Sequence, residues 1–359
     1  MFKTYEKYLI KNFVNKFLII SLIFFSLSII MGILEEISFF KNIEVSFIFP
    51  YFLTLLGAPI TLFEIFPFIF LLSTQFLFFD LFKKDELNLL KTNGLSNLKI
   101  IKILFFSSVV MGIITVFIYY NLASKMKFFY TDIKNKFSND NKYLAVVTDS
   151  GLWLKDEINE TTIIVKAKRI EGQYLIDVII NEFSSNFDLT RTIQSERINI
   201  DNKLWVVNKP KITIKNIDEK NIKNISLQTN FDKEKINNLF SNISTLNLIE
   251  LFNLKKDYEE LGYSADEIII HLLKLFSTPL FFGVLTILSS IIMFNFKREK
   301  SLLFHIILGI LMSVIIYYMN FIFNSLGNNG KIPIILSIFL PLFFISVISI
   351  IGLIRINEK

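Results

Sequence analysis

The chain has 359 residues, of which 52% are hydrophobic and 40 are phenylalanine, and its mean hydropathy is +0.52. This composition excludes an ordinary soluble domain and predicts a protein whose main solvent is the bilayer. The sequence has no cysteine, which excludes disulfides and thiolate metal sites, and its net charge of +6 mostly reflects lysines near span ends and not a nucleic-acid footprint.

Six apolar stretches are each long enough to cross a bilayer, because a hydrocarbon core of about 30 Å requires about 20 helical residues. Three precede and three follow a polar block at 125–266. The first stretch is too long for a signal peptide and lacks a small-residue cleavage site, so we predict a retained helix. The segment 47–55 either extends the second span or lies along the membrane surface. The predicted spans are 17–34, 56–79, 100–122, 268–294, 302–324 and 333–354.

Basic residues in the short loops predict the orientation, since lysine and arginine near span ends stay on the cytoplasmic side. The loop after the first span instead holds Glu35, Glu36 and Glu44 against Lys41. We therefore predict that both termini are cytoplasmic and that the polar block lies outside, because long domains translocate regardless of charge. The predicted cytoplasmic basic residues are Lys3, Lys7, Lys11, Lys16, Lys83, Lys84, Lys91, Lys99, Lys297, Arg298, Lys300, Arg355 and Lys359.

The loop between the second and third spans predicts a short helix from Asp85 to Asn93, with acidic residues in its first turn and Gly94 after its end. Leu87 and Leu90 share a face, which suits docking in a groove of a cytoplasmic protein. The neighbouring lysines suit a helix among lipid headgroups equally well, so the pattern leaves both interpretations open.

Within the polar block the apolar period changes from helical to two, with Asn, Asp and Gly between the runs. Several short strands in succession favour an all-β sandwich or jelly roll. A helical pattern returns at 232–261 and leads into the fourth span. The predicted strands are 143–148, 161–168, 173–182, 189–199, 203–207 and 211–216.

The sequence offers no catalytic constellation. His271 and His305 lie near or within spans without a zinc-ligand spacing, so structural roles are favoured. There is neither a P-loop nor a G-x-S-x-G nucleophile elbow. We predict a protein that is not an enzyme and has no metal or cofactor, so that any ATP use belongs to a partner.

Four local patterns resemble the LptF/LptG family of lipopolysaccharide-export permeases, in the family's order and over nearly the whole chain. The second of them, which opens the outer domain, is more typical of LptG than of LptF. They are Phe66-Pro67, Asp85-Glu-Leu-Asn-Leu-Leu-Lys-Thr-Asn-Gly with its S-E-L-like start, Gly151-Leu-Trp-Leu-Lys-Asp, Lys274-Leu-Phe-Ser-Thr-Pro-Leu, and Ile332-Pro-Ile-Ile with Leu340-Pro341; the first two are counted as one pattern.

The resemblance implies a multi-pass protein of the bacterial inner membrane. The expected fold is an α-helical membrane protein with six transmembrane helices, three plus three, and an inserted all-β periplasmic jellyroll-like domain. The expected domains are 1–124, which carries a coupling helix at about 83–94, then the jellyroll at 125–231, a periplasmic helical connector at 232–266, and the last three helices at 267–359.

The implied function is that of a permease subunit of an ABC transporter, which extracts lipopolysaccharide from the membrane. The implied partners are an LptF-like subunit in a heterodimer, an LptB-like ATPase dimer, and LptC and LptA-type jellyroll proteins that form the periplasmic bridge. In the family, the first and fifth helices form lateral gates. By matching position, Glu86 would dock into the ATPase, with Asp85, Leu87, Leu90 and Gly94 completing the coupling segment.

The substrate side departs from the family, which often places basic residues at the outer end of the first helix, where this chain has Glu35 and Glu36. We expect these acids to be solvated at the interface or to pair with a basic residue of the partner subunit. Lys41 is the first candidate for contact with lipid A phosphates and Lys274 the second; an ordinary interfacial role suits Lys41 too. The candidate gate or cavity residues are Tyr317, Asn320 and Phe321. A hydrogen bond between helices would explain the polar Asn320 within a span equally well.

Two alternatives remain open on the sequence. One is an LptF paralogue or a permease for another lipid. The other is a non-transport membrane protein that displays a periplasmic β-domain and has no ATPase partner.

Overall fold

The computed structural model describes residues 3–137, 152–158, 161–171, 173–214, 217–219, 224–229, 231–233, 236, 242–260, 265–294 and 302–357. It divides into two compact units. The helical unit comprises Met1–Tyr130, Ser244–Leu248 and Asp266–Lys359, and the β unit comprises Thr131–Ile243 and Ile249–Ala265. The predicted strand 143–148, Gly151 and the basic loop residues Lys297, Arg298 and Lys300 lie outside the described residues.

Six helices of the described chain are long and apolar enough to cross a membrane, so the three-plus-three layout is confirmed. The segment 47–55 extends the second span, since the second helix begins at Phe49 and continues without a break. The helices are α1 (Thr4–Phe39), α2 (Phe49–Lys83), α3 (Glu86–Thr92), α4 (Asn97–Ile114), a π-helical segment (Thr115–Tyr120), α5 (Asn121–Lys136), α6 (Leu248–Glu260), α7 (Asp266–Phe294), α8 (Leu302–Asn328) and α9 (Ile334–Asn357).

The helical unit packs around α2 and α7. Phe70 of α2 stacks on Phe282 of α7 with ring centroids 4.2 Å apart. The hydroxyls of Ser108 in α4 and Thr286 in α7 are hydrogen-bonded at 2.7 Å, which satisfies two buried polar groups between helices. The helices α1 and α8 are covered least, since 11% and 17% of their most apolar stretches are buried, against 61% for α7.

The β unit is one antiparallel sheet, which confirms the predicted β insertion between the third and fourth spans. Five predicted strands correspond to β2 to β6, whereas β1, β7 and β8 were not predicted. The strand β7 is short, β1 opens with three consecutive apolar residues and so does not alternate, and β8 alternates over only five residues. The strands are β1 (Leu152–Ile158), β2 (Thr161–Glu171), β3 (Tyr174–Phe183), β4 (Leu189–Asn199), β5 (Leu204–Asn208), β6 (Lys211–Ile214), β7 (Ile217–Glu219) and β8 (Asn224–Gln228).

The sheet branches and closes back towards its first strand. Its main path runs β1-β2-β3-β4-β5-β8, while β6 pairs with β4 and carries β7. Thr229, just after β8, donates a 2.7 Å hydrogen bond to the buried carboxylate of Asp156 in β1. The indole N–H of Trp205, which is fully buried, donates to the carbonyl of Phe231 at 2.9 Å. The bond between Thr229 and Asp156 thereby joins the two ends of the strand path, and the Trp205 bond fixes the segment after β8 to β5.

Candidate functional site

A cavity of about 730 Å³ opens among four of the spanning helices, α2, α7, α8 and α9. Lys274, Ser277 and Thr278 of α7 and Asn320 and Asn324 of α8 contribute polar groups to its wall. The rest of the lining is mainly aromatic and aliphatic. A few polar groups in an apolar wall are typical of a site that orients an amphipathic ligand.

Four of the predicted site residues meet in this cavity. Lys274 lies on α7, and Tyr317, Asn320 and Phe321 lie more than a full span later in the sequence on α8, yet all four line the same space. The rings of Tyr317 and Phe321 are 63% and 60% exposed, so they are available for contact in the isolated chain. Glu35, Glu36 and Lys41 do not belong to the cavity lining.

The cavity also contains a carboxylate that was not among the predicted site residues, that of Glu64 in α2. A signal for it was present in the sequence, because Glu64 is the only charged residue between Phe49 and Phe79. An ionisable side chain inside a span is costly and therefore marks a functional site by default. The cavity thus offers an ammonium group and a carboxylate as well as neutral donors.

Glu36 is buried, which corrects the expectation that it is solvated at the interface. Only 2% of Glu36 is exposed, and its Oε1 accepts a 2.6 Å hydrogen bond from the hydroxyl of Tyr130 in α5. The ammonium group of Lys127 lies 4.4 Å from the centre of the Tyr130 ring. Glu36 therefore connects the end of α1 to α5 through Oε1, and its pairing with a basic residue of a partner subunit stays a prediction.

Glu35 and Lys41 differ from Glu36 in that both are exposed. Lys41 lies in the turn between α1 and α2, directly after Phe40, the residue that caps the end of α1. Its exposed position is compatible with contact to an anionic headgroup and equally with an ordinary interfacial lysine. Its role remains a prediction.

The short helix α3 is held by its first residues. Asp85 precedes it in the left-handed conformation with φ of 57°, and its carboxylate accepts a hydrogen bond from Asn88. Glu86 is only partly exposed, and its carboxylate accepts a 2.6 Å hydrogen bond from the hydroxyl of Tyr8 in α1. The predicted coupling acid is therefore bonded to the first spanning helix.

The apolar face of α3 packs on its own bundle, which leaves the buried Leu87 unavailable for docking on another protein, whereas a docking role for the partly exposed Leu90 stays a prediction. Leu87 is 3% exposed and belongs to the hydrophobic cluster that contains Phe78 and Met293, and Leu90 packs against that cluster. The apolar side chain that points outwards is Leu89, which is 60% exposed. Periodicity had identified the apolar face correctly, but it could not say which surface covers that face.

Gly94 lies after the end of α3, as predicted, with φ of 83°. Its N–H bonds to the carbonyl of Lys91 at 2.9 Å, and the N–H of Leu95 bonds to the carbonyl of Leu90 at 3.1 Å. These two bonds are those of a Schellman motif, in which a residue other than glycine is strained. The helix therefore has a fixed end as well as a fixed start.

A close helix contact joins α2 to α8. The side-chain amide of the buried Gln75 donates a 2.9 Å hydrogen bond to the carbonyl of His305. One turn further along α8, a Cβ at Gly309 would lie 1.9 Å from Nε2 of Gln75. The two helices approach this closely only because residue 309 has no side chain.

The histidines have structural surroundings. Nε2 of His271 lies 2.9 Å from the hydroxyl of Tyr120, which also donates to the carbonyl of Leu246. His305 is 5% exposed. Within the part of the chain that the structure describes, no three His, Asp or Glu side chains form a group that could hold a metal ion.

A comparison with protein families places this geometry in a known context. A family model described as lipopolysaccharide export system permease LptF/LptG matches residues 7–355. No curated protein matches the chain. The family match covers the inserted β unit and the six spanning helices, apart from the first three residues of α1 and the last two of α9.

Proposed function

The chain belongs to the LptF/LptG family of lipopolysaccharide export permeases, and from this premise we propose that it is the LptG-type half of a lipopolysaccharide exporter. It is a multi-pass protein of the inner membrane and a transport subunit, and the ATPase activity of such a transporter is in a separate subunit. The LptG assignment rests on Gly151-Leu-Trp-Leu-Lys-Asp. In this proposal both termini are cytoplasmic and the β unit is periplasmic.

Pairing with an LptF-like subunit is supported by the uneven burial of the helices. The helices α1 and α8 are the first and fifth spans, which form lateral gates in the family, and they are the least buried of the six. Large apolar side chains are exposed along the length of both helices, among them Leu22 and Met31 in α1 and Ile315 in α8. A second subunit would cover part of these faces, and the gates would open where they separate.

Substrate binding in the cavity is supported by its chemistry. Lipopolysaccharide carries phosphates and sugars next to acyl chains, so its site must offer cationic and hydrogen-bonding groups beside an apolar wall. Lys274 provides the cationic group and Asn320 a hydrogen-bonding group, while Tyr317 and Phe321 contribute to the apolar wall. We propose Lys41 as a further phosphate contact at the end of α1.

Coupling to an LptB-like ATPase is proposed for α3. The firm attachment of this helix to α1 through Tyr8 and to the bundle through Leu87 would let it transmit a displacement, since a loosely held helix would absorb it. Its outward residues, including Leu89, would enter the groove of the ATPase.

Transfer of the lipid to LptC and LptA-type bridge proteins is proposed for the β unit. Its strands alternate buried and exposed positions, as in β5, where Trp205 and Val207 are buried while Leu204 and Val206 are exposed. An antiparallel sheet with an apolar interior suits acyl chains, and a sheet edge can pair with the next jellyroll.

The observation that carries the transport proposal is the convergence of Lys274, Tyr317, Asn320 and Phe321 in one cavity of a chain that matches the family throughout. The test uses the complex of this chain with its permease partner and ATPase in inner-membrane vesicles. The photoreactive residue p-benzoylphenylalanine replaces Phe321. In a control it replaces Phe343 of α9, which is 63% exposed, close to the 60% of Phe321, but does not line the cavity.

We expect crosslinks to lipopolysaccharide at position 321 that change when ATP is added, and few at position 343. Equal labelling at the two positions would show contact with bulk lipid only and would contradict a substrate site in this cavity. A different lipid captured at position 321 alone would favour the alternative of a permease for another lipid.

A further inference from the structure

A second groove, of about 870 Å³, lies between α1 and α4 and shares no residue with the cavity described above. Four lysines line one part of it, Lys7 and Lys11 from α1 and Lys99 and Lys102 from α4, and all four are exposed. Lysines spaced three or four residues apart on each helix lie on the same helix face, so the ammonium groups of both helices converge on the groove.

One carboxylate, that of Glu6, also lines the groove. Its Oε2 accepts a 2.9 Å hydrogen bond from the backbone N–H of Lys3, so it is engaged at the start of α1. The ammonium group of Lys99 lies 5.3 Å from the centre of the Tyr5 ring. The groove therefore presents an excess of positive charge, which requires an anion to balance it.

An apolar stripe continues from the lysines along α4. Phe106, Val110 and Ile114 follow one another at intervals of four residues, line the groove, and are 55%, 56% and 51% exposed. From Lys102 to Ile114 the helix advances by about 18 Å, at 1.5 Å per residue. This length is close to the hydrocarbon thickness of one leaflet, about 15 Å.

We propose that this groove binds an anionic glycerophospholipid of the surrounding leaflet. Its phosphate lies among Lys7, Lys11, Lys99 and Lys102, and an acyl chain lies along the stripe that Phe106 begins. The order of basic and apolar residues matches the order of headgroup and chain in such a lipid. A transmembrane helix of a partner protein would cover the stripe but would leave four ammonium groups without an anion.

The first experiment measures lipid binding by the full chain, purified and stripped of lipid in detergent. Native mass spectrometry follows titration with phosphatidylglycerol and, separately, with phosphatidylcholine. In the test variant Lys7, Lys11, Lys99 and Lys102 are replaced by Gln. The matched control removes the same charge from four exposed lysines outside the groove, Lys83, Lys84, Lys125 and Lys331.

We expect phosphatidylglycerol to bind more tightly than phosphatidylcholine, and the groove variant to lose about tenfold or more in affinity, given that each lysine near an anionic lipid contributes measurably. The control variant should keep the affinity of the original chain. Equal losses in the two variants would reduce the effect to net charge and overturn the proposal, as would equal affinity for the two lipids.

The second experiment identifies the occupant in the membrane. Benzoylphenylalanine replaces Phe106, or in the control Phe52 of α2, which is 50% exposed and lies outside the groove. An adduct with an anionic phospholipid at position 106, absent at position 52 and lost in the groove variant, supports the site. A polypeptide adduct at position 106 would show that a partner helix fills the groove, and would overturn the proposal.

Discussion

The hydroxyl of Tyr8 in α1 donates a 2.6 Å hydrogen bond to the carboxylate of Glu86 in α3. The two residues are 78 positions apart in the sequence, and the bond joins the first spanning helix to the short helix for which we propose ATPase docking. A movement of α3 would therefore reach α1 directly.

The change Tyr8→Phe removes this bond but keeps the ring. We expect ATPase binding to persist, while the lipopolysaccharide exported for each ATP hydrolysed falls by several fold, because the link between the two helices is weakened. The measurement is transport against phosphate release in reconstituted vesicles. Tyr51→Phe in α2 is the matched control, and an unchanged ratio in Tyr8→Phe would rule out this route of coupling.

The change Glu86→Lys should abolish co-purification of the ATPase, because it reverses the charge of the proposed docking acid. The measurement is a pull-down of the ATPase with the solubilised permease complex. Glu44→Lys reverses an exposed carboxylate in the turn between α1 and α2 and should leave the complex intact. A full yield of ATPase with Glu86→Lys would refute the assignment of α3.

Leu87 and Leu89 form a matched pair on α3, one buried and one exposed. Leu87→Ala should lower the stability of the bundle by about 2 to 5 kcal/mol, since it leaves a cavity in the hydrophobic cluster. Leu89→Ala should leave stability unchanged but weaken ATPase binding. Stability is followed as the fraction of protein that remains monodisperse on size exclusion after heating. If Leu87→Ala instead weakened ATPase binding without lowering stability, the docking role would belong to Leu87.

The close contact at Gly309 predicts an overpacking effect. Gly309→Ala places a methyl group against the Gln75 amide and should destabilise the helical unit by about 1 to 3 kcal/mol. The double variant with Gln75→Ala makes room for that methyl group, so it should be less destabilised than the sum of the two single changes. If the stability loss of the double variant equalled the sum of the two single losses in the same heating assay, the side chains at positions 75 and 309 would not be in contact.

The bond that closes the sheet can be followed by fluorescence, because the sequence has only two tryptophans and both Trp153 and Trp205 lie in the β unit. Thr229→Val removes the hydroxyl that Asp156 accepts from and should destabilise the β unit by about 1 kcal/mol or more. Urea unfolding is monitored by the emission of the buried Trp205 in a Trp153→Phe background. Thr190→Val, at an exposed position in β4, should destabilise the β unit less than Thr229→Val does. Equal destabilisation by the two changes would contradict closure of the sheet through Asp156.

The features that the sequence could predict are those encoded locally. Six apolar stretches and a change of period are sufficient to specify the spans and the β insertion, and Gly94 marks the end of α3 because a left-handed residue is needed there. The short strand β7 has too few residues to show an alternation.

Features that depend on distant partners could not be predicted. The burial of Glu36 requires Tyr130, 94 positions away, and the packing of Leu87 requires α2 and α7. Glu64 is a different case, since its isolated charge within a span was visible in the sequence. Its partners in the cavity, Lys274 and Asn320, become apparent only when α7 and α8 are brought together.

The low burial of α1 and α8 has a consequence for how long the unpaired protein survives in the cell. A newly inserted copy that has not yet bound the proposed partner subunit exposes α1 and α8 to the lipid, where other hydrophobic chains and membrane proteases can reach them. We expect the amount of stable protein in the membrane to depend on the amount of partner subunit, because pairing would bury the exposed faces of these two helices. Synthesis of the two subunits in matched amounts would then be a requirement set by the surface of the folded chain itself.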